Sequence, residues 1–516
     1  MRLRVEQPGV RFMDSANYAM SLNPVNARER AKPSDFNQLI TLRGLPGEFV
    51  LVLACIILDG GYTGDQAGLG IKIGPIPIFA TDLILMAVIA ISMRKRAGRL
   101  LDWGFTGGGA GAIGRAVWLL LLITLVHFTF AFPEYGLLAA RDLAIFGYSL
   151  FFPLTYFALT QRVLAAKLIR YFVYVPCIAA VLVNLEIVSG IRWFALHQSV
   201  RGIPGHEQVA RIGASNFANF GSVLAGLFAY LAVQREHRGL HAALILLCLA
   251  TLAQIMDRSC ILGFVMAGGV MFLLGAGRSR MYLSALGGGV FALLLLSAQG
   301  ELPIPGGAKL HGLSQVLSSG ANFESDPDAQ FRLQRWHSAA QTWMTSPIFG
   351  VGFGVPIITA DEWLRSEMKG AAQRGTLGAF NEGMPHNTFL TILARTGLIG
   401  FGLISYAWIT VLVRLIKVIK RRATDPDQLA IVGILIAMIP VAALNLFFER
   451  PMLCVPFWIM LAAGYKLSEG VPREIAGLRA RIAPGDITSR RPQGIGYPGP
   501  NRVARNYAAS RHRSQD

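Results

Sequence analysis

Two stretches, FRLQRWHSAAQTWMTSPIFGVGFG at residues 331–354 and MPHNTFLTILARTGLIG at residues 384–400, bracket a change from polar to strongly apolar sequence. The second stretch opens an apolar run that continues to residue 413. As a helix, residues 388–413 would be about 39 Å long, whereas the hydrocarbon core of a bilayer is about 30 Å thick. The run therefore predicts a membrane-spanning helix whose first turns reach the interface.

Similar apolar runs recur along the 516 residues, of which 53% are hydrophobic and 15% charged. Soluble domains carry roughly 25% charged residues, so this composition indicates a membrane protein. Because a backbone in lipid must satisfy its own hydrogen bonds, each run should be a helix. The predicted spans are 48–60, 73–93, 114–132, 142–160, 168–190, 212–233, 240–256, 258–275, 281–298, 388–413, 428–447 and 451–466. The predicted fold class is an all-α polytopic membrane protein with about twelve transmembrane helices and a large structured helical loop before the tenth.

The basic residues predict the orientation. Of the 48 Lys and Arg, 34 lie in the alternate set of connections that includes both tails, and such connections face the cytoplasm. The expected parts are therefore a cytoplasmic basic N-tail (1–47), helices 1–9 (48–298), an external loop (299–387), helices 10–12 (388–466) and a disordered basic cytoplasmic C-tail (467–516). The net charge of +18 is distributed in this way without any nucleic-acid-binding motif, so nucleic acid is not an expected partner.

The external loop is expected to contain two helices. Asp326-Pro327 resembles a helix start, apolar residues follow at helical spacing, and Pro347 ends them. A capping box predicts a second helix from Thr359 through Met368. The loop is thus a structured cap.

An anion site is one interpretation of the first loop helix. Arg332 and Trp336 are four residues apart and share a helix face, where a planar guanidinium can bind phosphate beside aromatic rings. The same pattern also fits an interfacial helix whose arginine reaches the headgroups. Arg335 points elsewhere on the helix and is the weaker candidate.

His386 is the candidate for acid–base chemistry. It precedes Asn387 and Thr388, both good N-cap residues, so its imidazole would lie at a helix N-terminus that favours anions. A single histidine is more often structural, although histidine suits proton abstraction near neutral pH. Arg395 would lie in the first turns of the same helix, at the interface.

Other charges fall within or between spans. Arg258 sits where two predicted spans meet at the outer face, and a charge there is costly unless it is paired or functional. A local pair with Asp257 is the structural alternative. Asp82 and Glu186 are acidic residues within spans and are interpreted as internal partners for such arginines. The five cysteines are scattered without CxxC spacing, which argues against disulfides or a zinc site.

These motifs resemble those of the O-antigen ligase and polymerase superfamily of bacterial envelope glycosyltransferases. His386-Asn387, nine residues, Gly397, two residues and Gly400 match its H-N-x9-G-x-x-G pattern. Arg332-x-x-x-Trp336, followed by the P-x-x-G-x-G block at 347–352, is similar to another. The resemblance covers most of residues 48–466, and Arg395 departs from it, because an acidic residue is expected at that position.

The resemblance implies glycosyl transfer at the periplasmic side of the bacterial inner membrane. The donor would be a polyprenyl-diphosphate-linked glycan, and the acceptor hydroxyl would belong to lipid A core sugars (ligase) or to another lipid-linked glycan (polymerase). By carry-over, His386 is the general base, Arg332 and Arg258 hold the donor pyrophosphate, and Arg335, Arg395, Trp336 and Asn387 are secondary candidates. No metal or other cofactor is expected if arginines neutralise the developing charge.

Two functions of other classes remain open at this point. A transporter or flippase for lipid-linked glycans would place charges along a midplane path, whereas these charges gather at the outer face. A non-enzymatic scaffold of an envelope complex has no motif in its favour. The ligase is therefore the leading hypothesis, and the polymerase is its alternative within the superfamily.

Overall fold

The computed structural model describes residues 47–60, 71–73, 76–78, 81–91, 94, 111–189, 198–199, 211–212, 219–234, 236–255, 258–274, 280, 327–358, 384–421 and 425–469. These residues are predominantly helical. The helices are α1 Gly47–Gly60, α2 Thr81–Ile91, α3 Gly111–Tyr135, α4 Leu137–Gly147, α5 Phe151–Ala158, α6 Arg162–Ser189, α7 Phe220–Val233, α8 Arg238–Ile255, α9 Arg258–Leu274, α10 Pro327–Met344, α11 Thr388–Arg421, α12 Pro426–Leu444 and α13 Pro451–Ser468. A 3-10 turn, Tyr148–Leu150, joins α4 to α5. Two short antiparallel ladders pair β1 (Ile71–Ile73) with β2 (Ile76–Ile78) and β3 (Gln198–Ser199) with β4 (Arg211–Ile212).

The multi-pass helical architecture is confirmed. Within the described ranges, six stretches are long and apolar enough to cross a membrane: Gly111–Tyr135, Leu137–Ala158, Arg162–Leu182, Thr388–Arg421, Pro426–Leu444 and Pro451–Ser468. Five shorter apolar helices lie on further predicted spans: Gly47–Ile57, Thr81–Ile91, Phe220–Val233, Arg238–Leu252 and Ser259–Leu274. The predicted span 281–298, the second loop helix from Thr359 and most of both tails lie outside the described residues. The count of twelve spans and the domain boundaries therefore stay predictions.

Two helices differ in extent from the predicted spans. The span predicted at 73–93 is a helix only from Thr81, and β1 and β2 precede it. Pro77 lies within β2, where its missing N–H and fixed φ disfavour a helix. Helix α11 runs on to Arg421 instead of ending near 413. Its exposed Arg414 donates to the Tyr465 hydroxyl at 2.9 Å and lies over that ring, so a neighbouring helix supplies partners for a basic side chain at the edge of the apolar stretch.

The core of the bundle is built around α7, α9, α12 and α13. Nearly every residue of α13 is buried. Small residues allow close helix approach: a methyl group on Gly221 would come within 2.5 Å of the Cys260 carbonyl oxygen, and one on Gly263 would overlap the Ala437 carbonyl. Such contacts drive helix association where water contributes no hydrophobic force. Close backbone contacts between these helices therefore stabilise the centre of the bundle.

The two ends of the bundle differ in chemistry. Helix α11 ends in Lys420 and Arg421, and we call this the basic end, whereas the end next to His386 is called the histidine end. At the basic end, Arg170 makes a bidentate contact with Asp427, at 2.8 and 3.1 Å, and Tyr230 donates to the same carboxylate at 3.0 Å. A buried ion pair of this kind requires such additional hydrogen bonds to offset desolvation.

Candidate functional site

Helix α11 is interrupted at Gly397. The backbone there has φ 63° and ψ −165°, a conformation that is essentially restricted to glycine. An interruption frees backbone N–H and C=O groups, and within a membrane these groups must find partners in the protein. The segment that supplies those partners lies about fifty residues upstream.

Residues 347–352 close the break in α11 through four backbone hydrogen bonds. The Leu398 and Ile399 amides donate to the carbonyls of Pro347 and Ile348, at 2.9 and 3.3 Å. In the opposite direction, the amides of residues 351 and 352 donate to the carbonyls of residues 394 and 395, at 2.7 and 3.2 Å. The P-x-x-G-x-G block thus takes the place of the missing helical hydrogen bonds.

Glycines permit this close approach. A methyl group on Gly350, whose φ is 77°, would lie 2.5 Å from the carbonyl carbon and oxygen of Arg395, and one on Gly397 would overlap the Ile348 carbonyl. The two motifs that were recognised separately in the sequence therefore form one hydrogen-bonded unit. This unit sets the position of residues 388–396 of α11, which directly follow His386 and Asn387, relative to the rest of the helix.

Arg395 is buried within this unit. Its guanidinium pairs with Asp142 at 2.9 Å and donates to the carbonyls of Gly352 and Val355. Asp142 also accepts a hydrogen bond from the Gly354 amide at 2.8 Å. The two Nη atoms of Arg395 thus bind protein groups, and they fasten the 347–355 loop to α4 and α11.

His386 stands immediately before α11 in an unusual conformation. Its φ is 52°, the one positive value at a non-glycine residue among those described. Histidine tolerates this region better than most residues, and such strain concentrates at functional sites. Asn387 accepts a hydrogen bond from the Leu390 amide at 3.1 Å, which confirms the predicted N-cap. His386 is half-buried.

The end of α12 and the connection that follows it, residues 444–450, organise this end of the bundle, and we call them the 444–450 segment. Thr388 anchors the start of α11 to it. The Thr388 hydroxyl accepts from the amides of Phe447 and Phe448, at 2.7 and 3.2 Å, and donates to Glu449 at 2.7 Å. Thr388 is two residues after His386, so these hydrogen bonds fix the backbone next to the histidine.

The same segment contacts both other elements that carry predicted site residues. Arg332 of α10 donates to the Leu444 carbonyl at 2.8 Å. Asn445 donates to the hydroxyl of Ser259 at 2.6 Å, and Ser259 follows Arg258 at the start of α9. The side chain of Arg258 itself lies outside the described residues. The 444–450 segment thus joins Arg332, the neighbour of Arg258 and the anchor of His386.

The other two candidates of helix α10 lie close by. Arg335 is only 1% exposed and donates to the Met384 carbonyl at 3.0 Å, two residues before His386. Trp336 is half-buried one turn beyond Arg332. Arg335 therefore links α10 to the segment that carries the histidine.

Among the described residues, two carboxylates that the sequence patterns did not single out lie near the candidate site. Asp82 accepts from the Tyr148 hydroxyl at 2.7 Å, and the side chain of Glu186 lies outside the described part of the chain. The carboxylates near the start of α11 are Asp142 and Glu449. The sequence contains one indication for Glu449. This residue lies in the short connection between the last two predicted spans, which must be at the same end of the bundle as His386.

Glu449 lies outside the membrane-spanning helices but is buried. Burial raises the pKa of its carboxyl above the usual value, although the hydroxyls of Thr391 and Thr388 and the charge of Arg141 act in the opposite direction. Arg141 also interacts electrostatically with Asp142 and Arg395. A carboxyl in this environment binds a proton more readily than an exposed glutamate.

One comparison with known proteins finds a match. Residues 242–405 match the family model described as O-antigen ligase. The match confirms the resemblance to the O-antigen ligase and polymerase superfamily over those residues, which include Arg258, Arg332, His386 and Arg395. It supports a membrane glycosyltransferase of that general type. A search of curated proteins finds no match.

Proposed function

We propose that the protein is a membrane glycosyltransferase of the O-antigen ligase type. It transfers a glycan from a polyprenyl-diphosphate carrier to a hydroxyl of lipid A core sugars. The single observation that carries the proposal is the 444–450 segment, which contacts Arg332, the residue next to Arg258 and the anchor of His386. Elements from three distant parts of the chain thereby contact one segment, which supports a shared site at this end of the bundle.

His386 acts as the general base in this proposal. Its imidazole takes the proton of the acceptor hydroxyl while the acceptor oxygen attacks the anomeric carbon of the glycan. The bond between that carbon and the phosphate oxygen breaks, and the polyprenyl diphosphate leaves with the electron pair. The anchored Thr388 and the capping Asn387 hold the histidine in place, so the base does not need to be ordered during the reaction.

Arginines stabilise the leaving diphosphate. Arg332 is half-buried at the histidine end, where its guanidinium donates to the Leu444 carbonyl, and Arg141 interacts electrostatically with Asp142, Arg395 and Glu449. Guanidinium groups at this end attract a diphosphate and offset the charge that develops as the bond breaks. Arg332 and Arg258 are the proposed ligands of the diphosphate, and the reaction is proposed to need no metal ion.

The proposed location is the bacterial inner membrane, with both termini in the cytoplasm and the histidine end facing the periplasm. The alternation of Lys and Arg along the chain supports this orientation, and so do the basic residues at the opposite end of α11. The diphosphate of a lipid carrier lies at headgroup level, which is where an interfacial site can reach it. Lipid-linked glycans and membrane lipids are therefore the proposed partners.

The test is reconstitution of the purified protein in liposomes with a labelled glycan on polyprenyl diphosphate. Supplied with lipid A core, the protein should form the glycan–core product and release polyprenyl diphosphate. Products of increasing glycan length without core attachment would assign the polymerase function instead. Movement of the glycan across the bilayer while it stays on its carrier would assign a transporter function instead of an enzymatic one.

A further inference from the structure

The turn that leads out of helix α10 presents large apolar side chains to its surroundings. Met344 is 70% exposed, Ile348 53% and Phe349 60%. These residues lie in the stretch predicted to belong to the external aqueous loop. We call Met344, Ile348 and Phe349 the apolar wedge. A cluster of this kind indicates a contact surface.

The apolar wedge is continuous with the outer face of helix α11. Leu398, 51% exposed, is bonded through its amide to Pro347, directly beside Ile348. Below it, Tyr406, Ile409 and Val413 are exposed at helical spacing along the same membrane-spanning helix. The wedge therefore extends a stripe that faces the lipid.

The length of α11 gives the depth of the wedge. The hydrocarbon core is about 30 Å thick, which a helix crosses in about 20 residues. Counted back from the basic residue Arg414, the boundary at the histidine end falls near residue 394. Gly397 and the bonded residues 347 and 348 then lie about 5 Å inside the hydrocarbon.

Hydrogen bonds to the backbone of the turn are consistent with this depth. Its backbone is bonded to α11 and to itself: the Gly350 amide donates to the Ser346 carbonyl at 2.8 Å, and the Trp343 indole donates to the Pro347 carbonyl at 3.0 Å. Irregular backbone is tolerated at membrane depth where it is buried in protein, and these bonds hold the backbone of the turn against α10 and α11. Tryptophan is also the residue favoured at the membrane interface.

We infer that residues 344–349 form a re-entrant turn whose apolar wedge contacts the acyl chains of the leaflet at the histidine end. Helix α10 then descends from the headgroup region at Arg332 into the hydrocarbon at Met344, over about 18 Å. The four hydrogen bonds across the break in α11 hold the turn in the bilayer. This inference concerns the lipid contact alone and does not require the proposed transferase activity.

The experiment measures the depth of a fluorophore. Phe349→Cys is labelled with an environment-sensitive dye in the full-length protein, which is then reconstituted in phosphatidylcholine nanodiscs. Gln334→Cys, an exposed position on α10 ten residues before the wedge, is the matched control for the headgroup region, and Ile409→Cys is the control for the hydrocarbon. The unsubstituted protein measures labelling of its five native cysteines, which are all buried.

The label at position 349 should be quenched by phosphatidylcholine that carries a nitroxide near the top of its acyl chain. Its iodide Stern–Volmer constant should be several-fold lower than that of the label at position 334. Iodide quenching equal to that at position 334, with no lipid quenching, would overturn the inference. If the Phe349→Cys protein is not monodisperse, Ile348→Cys replaces it with the same two outcomes.

Discussion

Replacing Gly397 by alanine tests how the break in helix α11 is held. The new methyl group would overlap the Ile348 carbonyl, in a backbone conformation that alanine rarely adopts. The conformational strain costs about 1–3 kcal/mol. If the hydrogen bonds from residues 398 and 399 to 347 and 348 are also lost, each removes about 0.5–1.5 kcal/mol. Together these effects lower the free energy of unfolding by about 2–6 kcal/mol.

The matched control for this substitution is Gly402→Ala. Gly402 lies five residues further along the same helix, and a methyl group placed on it meets no atom within 4 Å. This variant should be as stable as the unsubstituted protein or slightly more stable, since alanine favours a helix. The free energy of unfolding of both variants is measured by denaturation in mixed micelles. Equal values for Gly397→Ala and Gly402→Ala would refute the account of the break.

Three further predictions concern the charged groups at the histidine end. Asp142→Asn should lower the free energy of unfolding by about 3–5 kcal/mol, because Arg395 stays buried without its counter-charge, and a loss under about 1 kcal/mol would contradict this. The pKa of Glu449 is raised in the folded state, so the folded protein binds this proton more tightly than the unfolded chain does. As pH rises from 4.5 through the raised pKa, the unsubstituted protein should therefore lose stability relative to Glu449→Gln. Parallel plots of the free energy of unfolding against pH for the two proteins would exclude the effect. Arg332→Gln should raise the donor KM by about 10- to 100-fold, while Arg332→Lys recovers part of the loss. Addition of EDTA to the unsubstituted protein should leave its transfer rate unchanged.

The helices were largely predictable because hydrocarbon imposes a simple rule on composition. Long apolar runs gave the spans, and the Asn387 cap followed from residue type alone. Their limits were less predictable. A short ladder that contains Pro77 precedes a helix that begins at Thr81 instead of residue 73. Helix α11 continues past its predicted end, and its Arg414 contacts Tyr465 there. These outcomes depend on local backbone chemistry and on neighbours that hydropathy does not encode.

The candidate site residues follow from sequence motifs, whereas the contacts between their segments do not. His386, Arg332 and Arg258 were chosen from residue types and spacing, yet the hydrogen bonds between 347–352 and 394–399 join segments about fifty residues apart. Neither segment contains a local sequence pattern that predicts these hydrogen bonds. The carboxylates were missed for the same reason, because Asp142 and Glu449 acquire their importance only from the arginines and threonines that the fold brings to them.

His386 is proposed to remove the proton of the acceptor hydroxyl in a glycosyl transfer. The most direct measurement is the rate of glycan transfer from polyprenyl diphosphate to lipid A core by reconstituted His386→Ala and unsubstituted protein, at equal amounts and with equal unfolding temperatures. Loss of a general base predicts a rate lower by about 10²- to 10⁴-fold, with release of polyprenyl diphosphate falling in parallel. Unchanged rates of transfer and release would contradict the account.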